Sequence, residues 1–486
     1  EPKKYVDGDE TYWVIRYMEI VENTPSNITV KYIVEYSQND EIVQRDVLEA
    51  DFDFDANTLT TADFDFFSAL GASTETDFGE GLTYGDYTVE EGSQVVIEFN
   101  KYRIDFVTFE RDNETKFLIP QAIANLIFVG QVYYDTYFNG DKLFGLDSYQ
   151  FLDSSDEGQN VIKQIKISSK NSKEIPDDLK RFNYDFIALS FDYFYGLKAN
   201  AEETYYDFIG RNADDLMHGS RQEHYDAMFK LIYRFDDLHT YHQMSGYYIS
   251  PSYENKLTFA MLGERTQAYY EGYWEISDLI EEKKLELRRV TPDGKTGIVT
   301  INSFNVDTPK NFKEDIDYLL ANYPLIENIV IDITANGGGN VGAVWRTLGY
   351  MTDEPIMYHS SNILDGSSYS QEIIDLYPAY NLNFYIMISS VTFSAANLMA
   401  ATAQEMGIAT IIGLPSSGGA SSIGAVITPT GDVFFKSSLN TMSMKLKDGT
   451  IASIEYGITP DILFFDSNDL YNDNYIQNVV NKNQPH

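Results

Sequence analysis

Between Thr296 and Gly413 the chain alternates two periods. TGIVTINSF, ENIVIDI, NFYIMIS and ATIIG are apolar runs of strand length, and the segments between them carry apolar residues at helical spacing. The first such segment opens on Thr308-Pro309, a favoured helix start, and presents Phe312, Ile316 and Leu319; a second follows a cluster of glycines, and a third is SAANLMAATAQEM. The alternation predicts an α/β core, a mostly parallel sheet covered by helices. Ligands of such sheets gather at the carboxyl ends of the strands.

What precedes this core reads differently. Residues 1–150 predict a β-rich N-terminal domain. In ITVKYIVEY, Ile28, Val30, Tyr32, Val34 and Tyr36 alternate with Thr29, Lys31, Ile33 and Glu35, and turns are expected at Asn39-Asp40, Asp112-Asn113 and Asn139-Gly140. The polar stretch 151–177, ending near Pro176, reads as a linker. Residues 178–245 predict a small helical unit, with Phe182, Phe186, Leu189 and Tyr193 on one stripe and Tyr225, Phe229 and Ile232 on another, closing in DDLHT. The core then occupies 246–486, and the length as a whole suits two to four domains.

Composition removes several functional classes. The formal net charge of −40 repels nucleic acid and anionic membrane surfaces, yet 37 Tyr and 30 Phe are too many for a disordered acidic chain, so the charge belongs to the surface of a globular protein. Without cysteine there is no disulfide framework, no zinc-thiolate site and no thiol nucleophile. No apolar run approaches the ~18 residues of a membrane span. The first residue is Glu1, which fits removal of an export signal and predicts an extracellular or cell-surface protein. No metal or other cofactor is implied.

GGGNVG, residues 337–342, has the letters of a dinucleotide-binding loop but not the setting. Asp332 interrupts the strand, Thr334-Ala335-Asn336 intervene before Gly337, and no acid closes the following strand roughly twenty residues on. Glycines expose bare N–H groups, which serve an oxyanion as well as a phosphate. Ser394 stands at an equivalent strand end, at the turn into a helix, with the small Ala395 and Ala396 behind it. By itself it would be an ordinary N-cap; beside a glycine loop on the same sheet edge it is a candidate nucleophile.

Five ordered motifs sharpen this: DDLHT (236–240), IVIDITANGGG (329–339), SSVTFSAAN (389–397), IIGLPSSGG (411–419) and YGITPDI (456–462). Over about residues 180–465 the chain resembles the tail-specific, or C-terminal processing, serine peptidases. The resemblance implies a crotonase-like α/β catalytic core, Ser394 as nucleophile, and the backbone N–H groups of Gly338 and Ala395 as the oxyanion hole. Where the lysine base of the bacterial and chloroplast enzymes would stand, this chain has Gly419; it resembles instead the tricorn-core branch, whose histidine base corresponds to His239. Leu238 replaces the serine that precedes the histidine in that branch. Glu455, two residues before Gly457, is the candidate to orient His239, with Asp237 as the competitor. About 55 residues separate His239 from TGIVTINSF, too few for the PDZ domain common in the family.

The expectation is therefore an exported serine endopeptidase acting on proteins or peptides, with an imidazole base titrating near 6–7. The alternative is a non-catalytic ligand- or peptide-binding protein on the same fold.

Overall fold

The computed structural model describes residues 3–7, 10–39, 41–69 and 81–483. At its centre, strands Thr296–Thr300, Asn328–Asp332, Asn383–Ile388, Thr410–Gly413 and Ile462–Leu463 run parallel in that spatial order, and Arg288–Val290 adds an antiparallel edge beside the first. Strand alternation divides their side chains between two cores. Val299, Ile331, Ile386 and Ile411 face helices Thr308–Asn322, Val341–Gly349 and Ala395–Met406. Ile298, Val330, Met387 and Ile412 face helices Glu264–Lys283 and Asp473–Lys482. Burial on both faces is why the centres of these strands read as apolar runs without alternation. The α/β core expected from the sequence thus stands, with both helix layers present.

A second, seven-stranded sheet ties distant segments together. Its longest strand, Val433–Lys445, pairs with Tyr241–Met244, Ile356–Asn362, Ser421–Ile427 and Ile451–Ser453. Ser368–Asp375 pairs with Ile356–Asn362 on one side and with Leu82–Glu90 on the other. A strand from the β-rich N-terminal region therefore completes a sheet of the core, and so does one from the helical unit, so the divisions near 150 and 245 do not coincide with breaks in the sheets.

The N-terminal region is β-rich, as expected. Strands Lys3–Asp7, Glu10–Thr24, Asn27–Gln38, Glu41–Asp53, Thr58–Thr61 and Val95–Glu98 form an antiparallel sheet in which Ile28, Val30 and Tyr32 point inward. Asp112 and Asn113, both at positive φ, turn the hairpin Val107–Arg111/Glu114–Leu118, and Gly140 at φ 84° lies between Tyr134–Phe138 and Leu143–Asp147. Of the Asn39-Asp40 turn, Asn39 has φ 52° and Asp40 lies outside the described residues. The inner face of the sheet shares one core with helices Asp177–Phe194 and Arg221–Tyr233 and with Val426 and Phe434 of the second sheet.

Residues 151–177 are not an extended linker. They hold the helix Asp156–Lys166, whose first turn is capped by Ser155 Oγ accepting from Gly158 N at 3.1 Å. Ile165 is buried, with Val161 and Ile162 packed beside it. The polar letters that suggested a linker are the cap and the solvent face of a short amphipathic helix.

Candidate active site

Asn383–Ile388 leaves the sheet through SSVTF and turns sharply at Ser394 into the helix Ala395–Met406. Ser394 has φ 56° and ψ −125°, a conformation that costs a residue with a Cβ roughly 1–3 kcal/mol and persists only where neighbours fix it. They do: Ser394 N donates to Gly418 O at 2.7 Å and Phe393 N donates to Asn336 O at 3.1 Å. The hydroxyl makes no capping hydrogen bond to the helix it precedes. The N-cap alternative therefore fails, and the strained turn instead holds Oγ 3.1 Å from His239 Nε2.

His239 reaches this position through the turn that begins at Asp236. Asp237 is buried; its carboxylate accepts from the His239 backbone N–H at 2.9 Å and from Thr240 Oγ1 at 2.6 Å. Asp236, at φ 51°, caps the helix Glu264–Lys283, accepting from Arg265 N and Thr266 N at 2.9 and 2.8 Å. The imidazole is buried and packs against the Phe393 ring at 4.6 Å between centroids. Burial pushes its pKa down to about 4; the Asp237 carboxylate opposes that shift and the Arg265 guanidinium adds to it. This departs from the ordinary imidazole range expected from the sequence, because the sequence shows a histidine but not its desolvation.

Glu455 does not touch the ring. Its Oε2 accepts from Ala420 N at 2.7 Å, and its Oε1 lies 2.7 Å from Arg265 Nη1 as an ion pair without an aligned hydrogen bond. Burial raises the Glu455 pKa, while Arg265 and the Ala420 N–H pull it back. Asp237 spends its oxygens on its own turn. Among the described residues no group hydrogen-bonds His239 Nδ1, so neither acid named from the sequence orients the imidazole directly.

Gly338 also differs from expectation. Its N–H donates to Asn336 Oδ1 at 2.8 Å, an Asx turn that takes this donor away from a ligand. What Gly338 supplies is space: with φ 109°, an added Cβ would sit 2.7 Å from Ser394 Cβ and 3.0 Å from Ala395 N. The loop is pinned by Phe304 N donating to Gly338 O at 2.9 Å and Asn340 N donating to Phe304 O at 2.8 Å. Among the described residues nothing accepts from the N–H groups of Gly339 or Ala395, and Gly339 lines the cleft above Ser394.

Gly419 has φ 84°, and a Cβ there would lie 2.4 Å from the Phe393 ring. A lysine at that position is sterically closed to this chain. Lys436, the next lysine after Ser394, is buried and donates to Phe194 O, with burial lowering its pKa to about 7.

Sequence reasoning missed Arg265. Besides its ion pair with Glu455 Oε1, its guanidinium donates to the backbone oxygens of Glu455 at 2.7 Å and Ser417 at 3.1 Å, flanking the Gly418 that holds Ser394. One helix start thus joins the turn bearing His239 to the loop that supports Ser394. No local motif marks this role. Asn336 was legible in principle, since an Asn two residues before a glycine is an Asx-turn signal.

Residues 295–464 match the profile of peptidase family S41. No curated protein is similar to the sequence at a significant level. Among solved structures, the chain is similar to the photosystem II D1 C-terminal processing protease (18% identity, TM-score 0.30, 36% of this chain and 45% of that one). It is similar also to a putative peptidase from Parabacteroides merdae ATCC 43184 (17%, 0.45, 62% and 96%) and to the tricorn protease (10%, 0.35, 98% and 60%). The chain thus spans less than half the length of the D1 processing protease. Ser394, the glycine loop and Glu455 lie inside the matched segment, whereas His239 and Arg265 precede it. Residues 295–464 thus carry the sequence profile of peptidase family S41, a family of serine peptidases, over about a third of the chain.

Proposed function

We propose that this chain is a serine endopeptidase of the histidine-base type, on a core of the crotonase-like kind, and that its substrates are proteins or peptides. The observation that carries the reading is the 3.1 Å separation of Ser394 Oγ and His239 Nε2 across a strained strand-to-helix turn. Ser394 Oγ attacks the peptide carbonyl as its proton passes to His239 Nε2. The carbonyl oxygen gathers negative charge beside the unengaged N–H groups of Gly339 and Ala395, and His239 then delivers the proton to the departing amine. Water hydrolyses the acyl-enzyme by the same two transfers in reverse roles. Burial of His239 supports this role, since it keeps the ring neutral and able to accept at Nε2 near pH 7.

Gly339 replaces Gly338 in this scheme because the Gly338 N–H is spent on Asn336. Hydrolysis of unfolded casein by the native chain, lost in Ser394→Ala, tests the proposal; equal hydrolysis by both would remove Ser394 from the mechanism. Export to the cell surface or medium is a separate proposal, tested by fractionating cells that make the full-length protein.

One observation favours a second reading. A neutral His239 that accepts at Nε2 carries its proton on Nδ1, and a buried donor without a partner costs ~1–3 kcal/mol. A site that never cycles its proton tolerates that arrangement, so a non-catalytic peptide-binding protein is the alternative. The casein assay separates the two.

A further inference from the structure

The cleft over Ser394 encloses about 770 Å³, and part of its wall comes from far outside the family segment. Tyr133 and Tyr149 line it from the base of the hairpin Tyr134–Phe138/Leu143–Asp147, together with Tyr241, Tyr358 and Met442. Their rings stack with centroids 5.1 Å apart and planes 14° from parallel. Tyr133 is held at φ 59°, a strained conformation for a bulky side chain. Both rings remain partly exposed, 38% and 49%, so the strain presents aromatic surface rather than burying it.

The pair is fixed from below. Ser148 N donates to Tyr133 O at 2.9 Å, and Tyr149 N donates to Asp147 Oδ1 at 2.8 Å. Fully buried Asp135 accepts from Ser148 Oγ at 2.6 Å and from Asn125 Nδ2 at 2.7 Å. Tyr137 OH donates to Gly431 O at 3.0 Å, which anchors the hairpin on the second sheet. These contacts hold the two rings at the cleft as a preformed surface.

The chemistry of the walls is one-sided. Charged residues make up 23% of the chain, yet none of the described residues lining this cleft is Asp, Glu, Lys or Arg. A charged side chain entering it would lose water and gain no counter-ion, whereas an aromatic or large aliphatic one would gain stacking and apolar burial. The surrounding net charge of −40 disfavours acidic side chains further.

We infer that Tyr133 and Tyr149 are specificity-determining residues that select peptides with a bulky apolar or aromatic side chain beside the scissile bond and exclude acidic ones. This assignment rests on the peptidase reading above. Hydrophobic contacts of this size discriminate by ~10- to 200-fold.

The experiment is a digest of a mixed peptide library by the full chain, with the cut sites read by mass spectrometry. The native protein should favour Phe, Tyr, Leu or Met over Asp or Glu beside the cut by at least ~10-fold. Tyr133→Gly with Tyr149→Ala, a pair that relieves the backbone strain at 133, should reduce the aromatic preference at least ~5-fold, whereas Tyr133→Phe with Tyr149→Phe should keep it. An unchanged preference in the Gly/Ala pair, or free cutting beside acids by the native chain, overturns the assignment. If the native chain cuts nothing, the peptidase reading fails by itself. The tyrosines are then judged by binding of Ala-Ala-Phe-Ala-Ala and Ala-Ala-Glu-Ala-Ala amides to Ser394→Ala: a Phe preference lost with the Gly/Ala pair supports their role, and equal affinities overturn it.

Discussion

Lowering the pH should reveal how deeply His239 is buried. An imidazole with the ordinary pKa near 6.5 is only ~9% neutral at pH 5.5, so kcat/KM would fall about tenfold from its plateau. With the pKa pushed down to about 4 by burial and by Arg265, ~97% of the ring is neutral at that pH and the rate should be almost undiminished. The acid limb is therefore expected near pH 4. The assay is kcat/KM on an internally quenched peptide from pH 3.5 to 8, with near-ultraviolet circular dichroism at each point. That control matters because the unfolded chain binds a proton at His239 below about 6.5 and the folded chain only near 4, so stability falls as pH drops through that window. A limb at 6–7 in folded protein would refute the reasoning, since it would mean that the working imidazole is solvated or paired with an acid.

Other perturbations follow from the same geometry. Gly338→Ala should lower kcat by ~10²-fold or more, because its Cβ would force Ser394 out of position and crowd Ala395 N; a folded variant at full rate would show that the close approach is dispensable. Arg265→Met strands the buried Glu455 carboxylate and should cost ~3 kcal/mol in denaturant unfolding, part of it recovered by adding Glu455→Gln; additive losses would deny the coupling. Lys436→Met should leave the acid limb unmoved. Because the folded Lys436 pKa is about 7 and the unfolded one near 10.5, native stability should rise with pH across that window, and this slope should flatten in the Met variant.

The sequence displayed the core and the candidate pair Ser394 and His239 because each is written locally. The strands that carry Val330 and Ile386 have apolar centres since helices cover both faces, and Ser394 and Gly338 follow strand ends at fixed short spacing. The second sheet was illegible: Leu82–Glu90 pairs with Ser368–Asp375, some 280 residues away, and nothing in either strand names its partner. The helix Asp156–Lys166 was hidden by its polar cap and solvent face, with too few apolar residues to show a period. In the site, the motif spacing led to His239 and Glu455 but not to their separation. The salt bridge from Arg265 that captures Glu455 is a tertiary choice with no trace in spacing, and only an Asx-turn signal points to the Asn336 side chain that captures the Gly338 N–H.

The most direct test of the central claim is active-site labelling. The native chain is incubated with a peptidyl diphenyl phosphonate carrying a phenylalanine side chain, and the modified residue is located by tandem mass spectrometry. The geometry predicts a single adduct on Ser394 Oγ, absent in Ser394→Ala and formed at least ~10²-fold more slowly in His239→Ala, because the hydroxyl then has no base at 3.1 Å. No adduct on a folded native chain, or labelling of Ser394 at an undiminished rate without His239, would contradict it.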